Sequence, residues 1–166
     1  CDNIGYFGID YDLLETLRDA ADRFLAPGGR LIPNRLRLFV GLVDLGDSPN
    51  PVMRWAGEDI PKEFHWLAGF NSNLKLPASA TVGMLLSTSV QVAEFRLGLD
   101  APSFTNWKAT VRASRKGRAH GVAGWFEADL AEGCSMSNAP NLEGRISRSI
   151  ALLPFEEPLE LTEGDP

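Results

Sequence analysis

The chain has 166 residues, 44% of them hydrophobic and 23% charged, which suits one folded domain and is globular composition rather than disorder. Sixteen Lys and Arg against twenty-two Asp and Glu leave a net charge of −6, which argues against a general nucleic-acid binder. No apolar run approaches the roughly 20 residues that cross a bilayer, and no signal peptide opens the chain. Two cysteines, Cys1 and Cys134, cannot build a disulfide framework, and with only two histidines a His/Cys metal site is not expected. Composition thus points to a soluble, cytoplasmic domain with no metal. The chain opens on Cys1 rather than Met, a start that reads as cut.

The first periodic segment predicts a helix. Leu13, Leu14, Leu17, Ala20, Ala21, Phe24 and Leu25 recur at three-and-four spacing, and Arg18, Asp19, Asp22 and Arg23 take the opposite face. Asp12 followed by Glu15 has the form of a capping box, and Pro27-Gly28-Gly29 is a stop signal with glycine supplying the left-handed turn. From Arg30 the period changes to two. Segments 30–32, 35–43, 83–88, 90–97, 107–113, 121–130 and 146–153 read as strands bounded by turn residues, with a hairpin turn expected over 113–119. Prolines interrupt 45–77, where 60–68 is expected to form a short helix. The last twelve residues carry five acidic side chains and read as a solvated edge or tail. One helix followed by many short strands implies a mainly β fold, an antiparallel barrel or sandwich.

Sequence motifs alone supply no catalytic centre. The chain has no glycine-rich strand-to-helix fingerprint, no Walker loop, no Gly-x-Ser-x-Gly elbow and no His-Glu-x-x-His. His65 reads as a packed or surface histidine and His120 as a hydrogen-bonding one, neither beside a nucleophile. Lys108, Arg112, Arg115, Lys116 and Arg118 form a basic stretch without acidic relief in sequence, expected to be a solvated hairpin. Trp55, Trp66, Trp107 and Trp125 read as core and interface residues, and Cys134 shows no sign of activation.

An ordered set of motifs carries a resemblance. Asp2-Asn3-Ile4-Gly5-Tyr6-Phe7-Gly8-Ile9-Asp10-Tyr11-Asp12 resembles the substrate-clamping "double-E" loop of the protein arginine methyltransferases. Arg23-Phe24-Leu25-Ala26-Pro27-Gly28-Gly29-Arg30-Leu31-Ile32-Pro33 resembles the run that joins that family's cofactor domain to its C-terminal β-barrel. Phe64-His65-Trp66-Leu67-Ala68-Gly69-Phe70-Asn71, the strand over 121–130, Ser135-Met136-Ser137-Asn138-Ala139-Pro140 and the segment 148–158 follow in the family's order. The resemblance implies an antiparallel β-barrel of the arginine methyltransferase C-terminal type preceded by one helix. Residues 1–29 would be the rest of the active-site loop with its connecting helix, residues 30–166 the barrel, and a Rossmann-like cofactor domain would lie upstream.

Carried over by position, Asp2 stands at the first glutamate of the loop and is the one catalytic candidate. Tyr11 stands at the second glutamate, where a phenol is neutral near pH 7. Asp10 and Asp12 are the adjacent carboxylates able to turn in. Ile146-Ser147-Arg148 aligns with the family's Thr-His-Trp loop, so Tyr11, Ser147 and Arg148 are substrate-binding positions of changed type, and serine cannot act as an imidazole does. Thr105-Asn106-Trp107 resembles that motif but falls too early in the order and reads as a decoy, with Trp107 as barrel core.

The implied chemistry is methyl transfer from S-adenosylmethionine, with two carboxylates gripping the planar guanidinium of the acceptor. The implied partners are the chain's own cofactor domain, a protein substrate and a second copy in a homodimer, although the segment 72–82 that matches the dimerisation arm is short. The departures at Asp2, Tyr11 and Ser147 leave a non-catalytic binding or dimerisation module as the alternative. This chain alone is expected to bind no S-adenosylmethionine and to be inactive by itself. Calorimetry should accordingly show no micromolar binding of that cofactor to it.

Overall fold

Alternation along Arg35–Val43 makes the interior strand β1 by placing Leu36, Leu38 and Val40 on one face and Arg35, Arg37 and Phe39 on the other. The computed structural model of the chain describes residues 4–47, 52–98, 101–102 and 105–166. Helix α1 (Leu13–Phe24) precedes β1, and helix α2 (Trp66–Asn71), β2 (Leu76–Ala78), β3 (Val90–Arg96), β4 (Gly117–Ala131), β5 (Cys134–Ser137) and β6 (Ile150–Leu161) follow it. Short 3-10 turns cover Met53–Ala56, Lys62–Phe64 and Val82–Met84. Every pairing is antiparallel, in the order β2-β6-β4-β1-β3, with β5 beside β4. The architecture is mainly β with one main helix at its start. Among the described residues the hydrogen-bonded sheet does not close between β2 and β3.

One face of the sheet receives α1 and the segment before it. Ile4, Phe7, Leu13, Leu14 and Leu17 share a core with Leu36, Leu38, Val40, Phe126 and Ala128. On the opposite face Trp125 packs with Val43, Ala123, Ile150 and Leu152, beside a cross-strand charge row in which Arg35 and Arg37 pair with Glu94, Glu127 and Asp129. Burying each large apolar side chain contributes about 1.5–3 kcal/mol, so the loop's Ile4 and Phe7 are anchors.

Strand β4 changes partner along its length. Gly117 to Gly124 pairs with β6, and Glu127 to Ala131 pairs with β5. Phe126 falls in the gap, and side chains replace the missing ladder. Its N–H donates to Asn138 Oδ1 (3.0 Å), and its carbonyl accepts from Ser137 Oγ (2.6 Å). The Asn138 Nδ2 group donates onward to Tyr6 O (2.8 Å) and Ser149 O (2.7 Å). One buried amide therefore joins β4, the start of β6 and the N-terminal loop.

Several local expectations are corrected. The capping box at Asp12 does not form: Tyr11 (φ 60) and Asp12 (φ 53) are both left-handed, and an N-cap needs an extended residue to aim its carboxylate at the first turn. Leu25, which ends the helix, is extended rather than left-handed, while Gly28 turns left-handed (φ 78) beyond it. Phe24 and Leu25 lie outside the buried stripe, with Phe24 72% exposed. Segments 30–32 and 107–113 form no strand. The expected hairpin over 113–119 is absent, because Ala113 bridges Ser87 and exchanges backbone bonds with Gly164 and Asp165.

The acidic C-terminal run is the solvated edge expected of it rather than a tail. It extends β6 to Leu161 and sets Glu160 opposite Arg118, while the Arg118 N–H reaches Asp44 Oδ2 at 3.4 Å. The basic stretch thereby gains the acidic neighbours that its own sequence lacks. Trp107 is exposed rather than core and meets Phe7 edge-on at 6.4 Å. No helix among the described residues is long and apolar enough to cross a membrane.

Replacing Asn138 with Ala should lower stability by about 3 kcal/mol in urea denaturation, because Phe126 N–H, Tyr6 O and Ser149 O all lose their partner. Ser137→Ala, which removes one hydroxyl, should cost about 1 kcal/mol.

Candidate functional site

The loop over residues 4–12 is short, and its backbone polar groups are satisfied by side chains rather than by a ladder. Asp10, only 5% exposed, turns its carboxylate back into the loop, where Oδ2 accepts from Tyr6 N (2.9 Å) and Phe7 N (2.8 Å). Gly5 lets the loop close on it: a Cβ there would lie 2.1 Å from Asp10 Oδ2, and the backbone is left-handed at φ 66. Gly124 provides a matching floor, since a Cβ on it would meet the Phe7 ring at 2.5 Å.

Side chains distant in sequence complete the hold. Lys75 Nζ pairs with Asp10 Oδ1 and lies 5.3 Å from the centre of the Tyr6 ring, while Tyr6 Oη donates to Lys75 O at 3.1 Å. Burial pushes the Lys75 ammonium below its ordinary value of 10.5. Arg148 Nη1 donates to Gly5 O (2.9 Å), and Asn138 donates to Tyr6 O. The loop is thus tied to β4, to the segment before β2 and to the segment before β6.

The positions expected from sequence divide clearly. Asp2 lies outside the described residues. Tyr11 is 69% exposed at the rim, on the first of the two left-handed residues leading into α1. Ser147 and Arg148 follow Ile146, whose N–H donates to Ser137 O, and the Arg148 N–H returns to Ile146 O in a tight turn with Ser147 at its apex. The Arg148 contact brings this turn to the loop. Asp10 does not turn in toward a ligand as a substitute carboxylate, because both of its oxygens are engaged within the fold.

Sequence reasoning missed Lys75 and Asn138 as supports of the loop. Their signal was weak: each is one polar residue in a segment read for turns, and their partners lie 65 and 132 positions away. His120 accepts from Leu45 N at 3.1 Å and His65 Nε2 lies 2.9 Å from Ile60 O, consistent with hydrogen-bonding and packing roles. Among the described residues no group of three or more His, Cys, Asp or Glu could hold a metal. The sheet is antiparallel throughout, with no strand–glycine loop–helix unit among the described residues.

Comparison with solved structures places this architecture in a class: it has a protein arginine methyltransferase-like fold. The PRMT1 enzyme–prozyme heterotetrameric complex of Trypanosoma brucei with AdoHcy superposes with a TM-score of 0.72 at 15% identity, over 96% of this chain and 52% of that one. Protein arginine methyltransferase 10 of Arabidopsis thaliana gives a TM-score of 0.64 at 14% identity, over 96% and 55%. The chain spans about half the length of these structures. No family model and no curated protein matches it.

Lys75→Met should destabilise the fold by about 2 kcal/mol, because it leaves a buried carboxylate oxygen unpaired. With its pKa lowered in the fold, Lys75 loses its proton at lower pH folded than unfolded. Its own contribution therefore makes stability rise with pH from the folded pKa up to 10.5, and that rise should vanish in Lys75→Met when urea midpoints are measured across pH.

Proposed function

We propose that this chain is the acceptor-side domain of an S-adenosylmethionine-dependent methyltransferase, acting with a separate cofactor-binding domain. The observation that carries the reading is the fold match together with the loop at 4–12, which is held against the sheet by Asp10, Asn138 and Arg148. Two successive left-handed residues at its exit support it further, since such strain of about 1–3 kcal/mol per residue collects where a chain is shaped for a ligand. The complex with AdoHcy supports S-adenosylmethionine as the cofactor of the whole protein.

In this reading the chain's residues position the acceptor and do not form bonds to it. Tyr11 offers a phenol and an aromatic face at the rim, and the turn at Ser147 and Arg148 forms the facing wall. Asp2, at the first acidic position of the loop, supplies the carboxylate. When bound, the cofactor supplies an electrophilic methyl group. Tyr11 and Ser147 leave the site without a second carboxylate and without an imidazole, so a guanidinium would be gripped poorly and arginine would be a weak acceptor.

One observation favours a second, non-catalytic role in assembly. Trp66 (68% exposed), Phe64 and Phe70 form an apolar surface on α2 and the turn before it, which suits contact with a second chain. The enzyme–prozyme pairing named for the trypanosome complex supports such an arrangement.

Methyl transfer from labelled S-adenosylmethionine to an Arg-rich peptide, measured with the whole protein, should be slow. Joint Tyr11→Glu and Ser147→His substitution should raise it by about tenfold or more, the scale of one charged hydrogen bond. An unchanged rate would remove the roles given to these two positions.

A further inference from the structure

The turn over residues 145–149 and Ser79, just beyond β2, border an open surface cavity of about 390 Å³ lined by Ser79, Arg145, Ile146, Ser147, Arg148 and Ser149. Its chemistry is one-sided. Two arginines and three serines line it, and among the described residues neither Asp nor Glu does. Arg145 Nη1 donates to Ala80 O (3.1 Å) and Arg148 Nη1 to Gly5 O (2.9 Å). Both arginines are therefore oriented by backbone carbonyls and not neutralised by a carboxylate among the described residues. Each guanidinium carries five N–H donors, and one such bond leaves most of the fork unused. The hydroxyls of Ser79, Ser147 and Ser149 likewise have no protein partner among the described residues.

Oriented cations sharing a cavity without an anion repel one another, and an oxyanion relieves this while accepting the spare N–H and O–H donors. A carboxylate has two oxygens to offer, whereas a phosphoryl group presents three with up to two negative charges, the better match to two forks and three hydroxyls. The volume falls within the range of small-molecule sites and exceeds what a bare ion fills, leaving space for the group that carries the phosphate. We infer that this cavity binds a phosphate monoester, with Arg145 and Arg148 as its charge partners and Ser79, Ser147 and Ser149 as hydroxyl donors.

The cavity adjoins the loop at 4–12 through the Arg148–Gly5 bond. The same two arginines that attract a phosphoryl group disfavour a guanidinium beside them, which accords with the loss of acidic character at Tyr11. That the phosphoryl group belongs to the methyl acceptor rests on the function proposed above; the affinity of the cavity for the anion does not.

The test is a titration of the isotope-labelled protein with inorganic phosphate, followed at the amides of Ser147 and Ser149. Saturable shifts at millimolar phosphate that weaken with added sodium chloride are expected. Arg148→Gln and Arg145→Gln should each weaken binding by about tenfold. Ser147→Asp changes an exposed side chain, leaves both arginine bonds in place and should abolish binding. The absence of saturable shifts would overturn the proposal, as would undiminished binding by Ser147→Asp or a preference for arginine amide at the same amides. O-phosphoserine and ribose 5-phosphate then distinguish a phosphorylated side chain from a phosphorylated small molecule by which binds tighter. Phosphate binding without methyl transfer to any acceptor would defeat the proposed function and leave the anion site standing.

Discussion

Phe126 sits where β4 passes from one neighbour to another, and its backbone groups have no ladder partner on that side. The amide of Asn138 and the hydroxyl of Ser137 fill that gap. A buried N–H left without an acceptor costs on the order of 1–3 kcal/mol, so the partner exchange depends on these two side chains. Because Asn138 has two further donors, the repair also fastens Tyr6 and Ser149 to the same point. Both walls of the candidate site, the N-terminal loop and the turn before β6, hang from one amide in the core.

The loop fastened there has an unusual division of labour. In the family it resembles, acidic side chains of the loop face the acceptor. Here Asp10 faces inward, closing the loop on the N–H groups of Tyr6 and Phe7 and pairing with Lys75. A carboxylate spent on structure is unavailable to a cationic ligand. Tyr11 lies exposed at the next position, and Arg145 and Arg148 line the cavity at the turn before β6. A protein arginine methyltransferase-like fold is thus combined with a loop whose buried carboxylate serves the backbone.

Beyond the site, the two faces of the sheet have distinct tasks. The Leu36, Leu38 and Phe126 face receives the loop and α1 through Ile4, Phe7 and Leu17, and it determines where the loop can lie. The other face buries Trp125 and continues into the charge row of Arg35, Arg37, Glu127 and Asp129. Apolar side chains remain outside the core clusters, Phe24 and Ile32 near the end of α1 and Trp66 and Phe70 on α2.

Period and order were legible from the sequence. The stripe of Leu13, Leu14 and Leu17 specified α1, and the alternation in 35–43 specified β1 to its ends, because burial on one face imposes a repeat that local sequence records. The run of motifs pointed to the fold. Tertiary structure alone decided the rest. Asp12 failed as a cap because the path of the loop imposed a left-handed backbone, and the acidic end of the chain became a strand because β4 offered it an edge. Lys75 met Asp10, Asn138 met Tyr6, and Arg145 and Arg148 came to share one cavity with Ser79. Such encounters join residues tens of positions apart. They leave no period in the sequence, and a charge or an amide acquires its role only from the partner that folding brings to it.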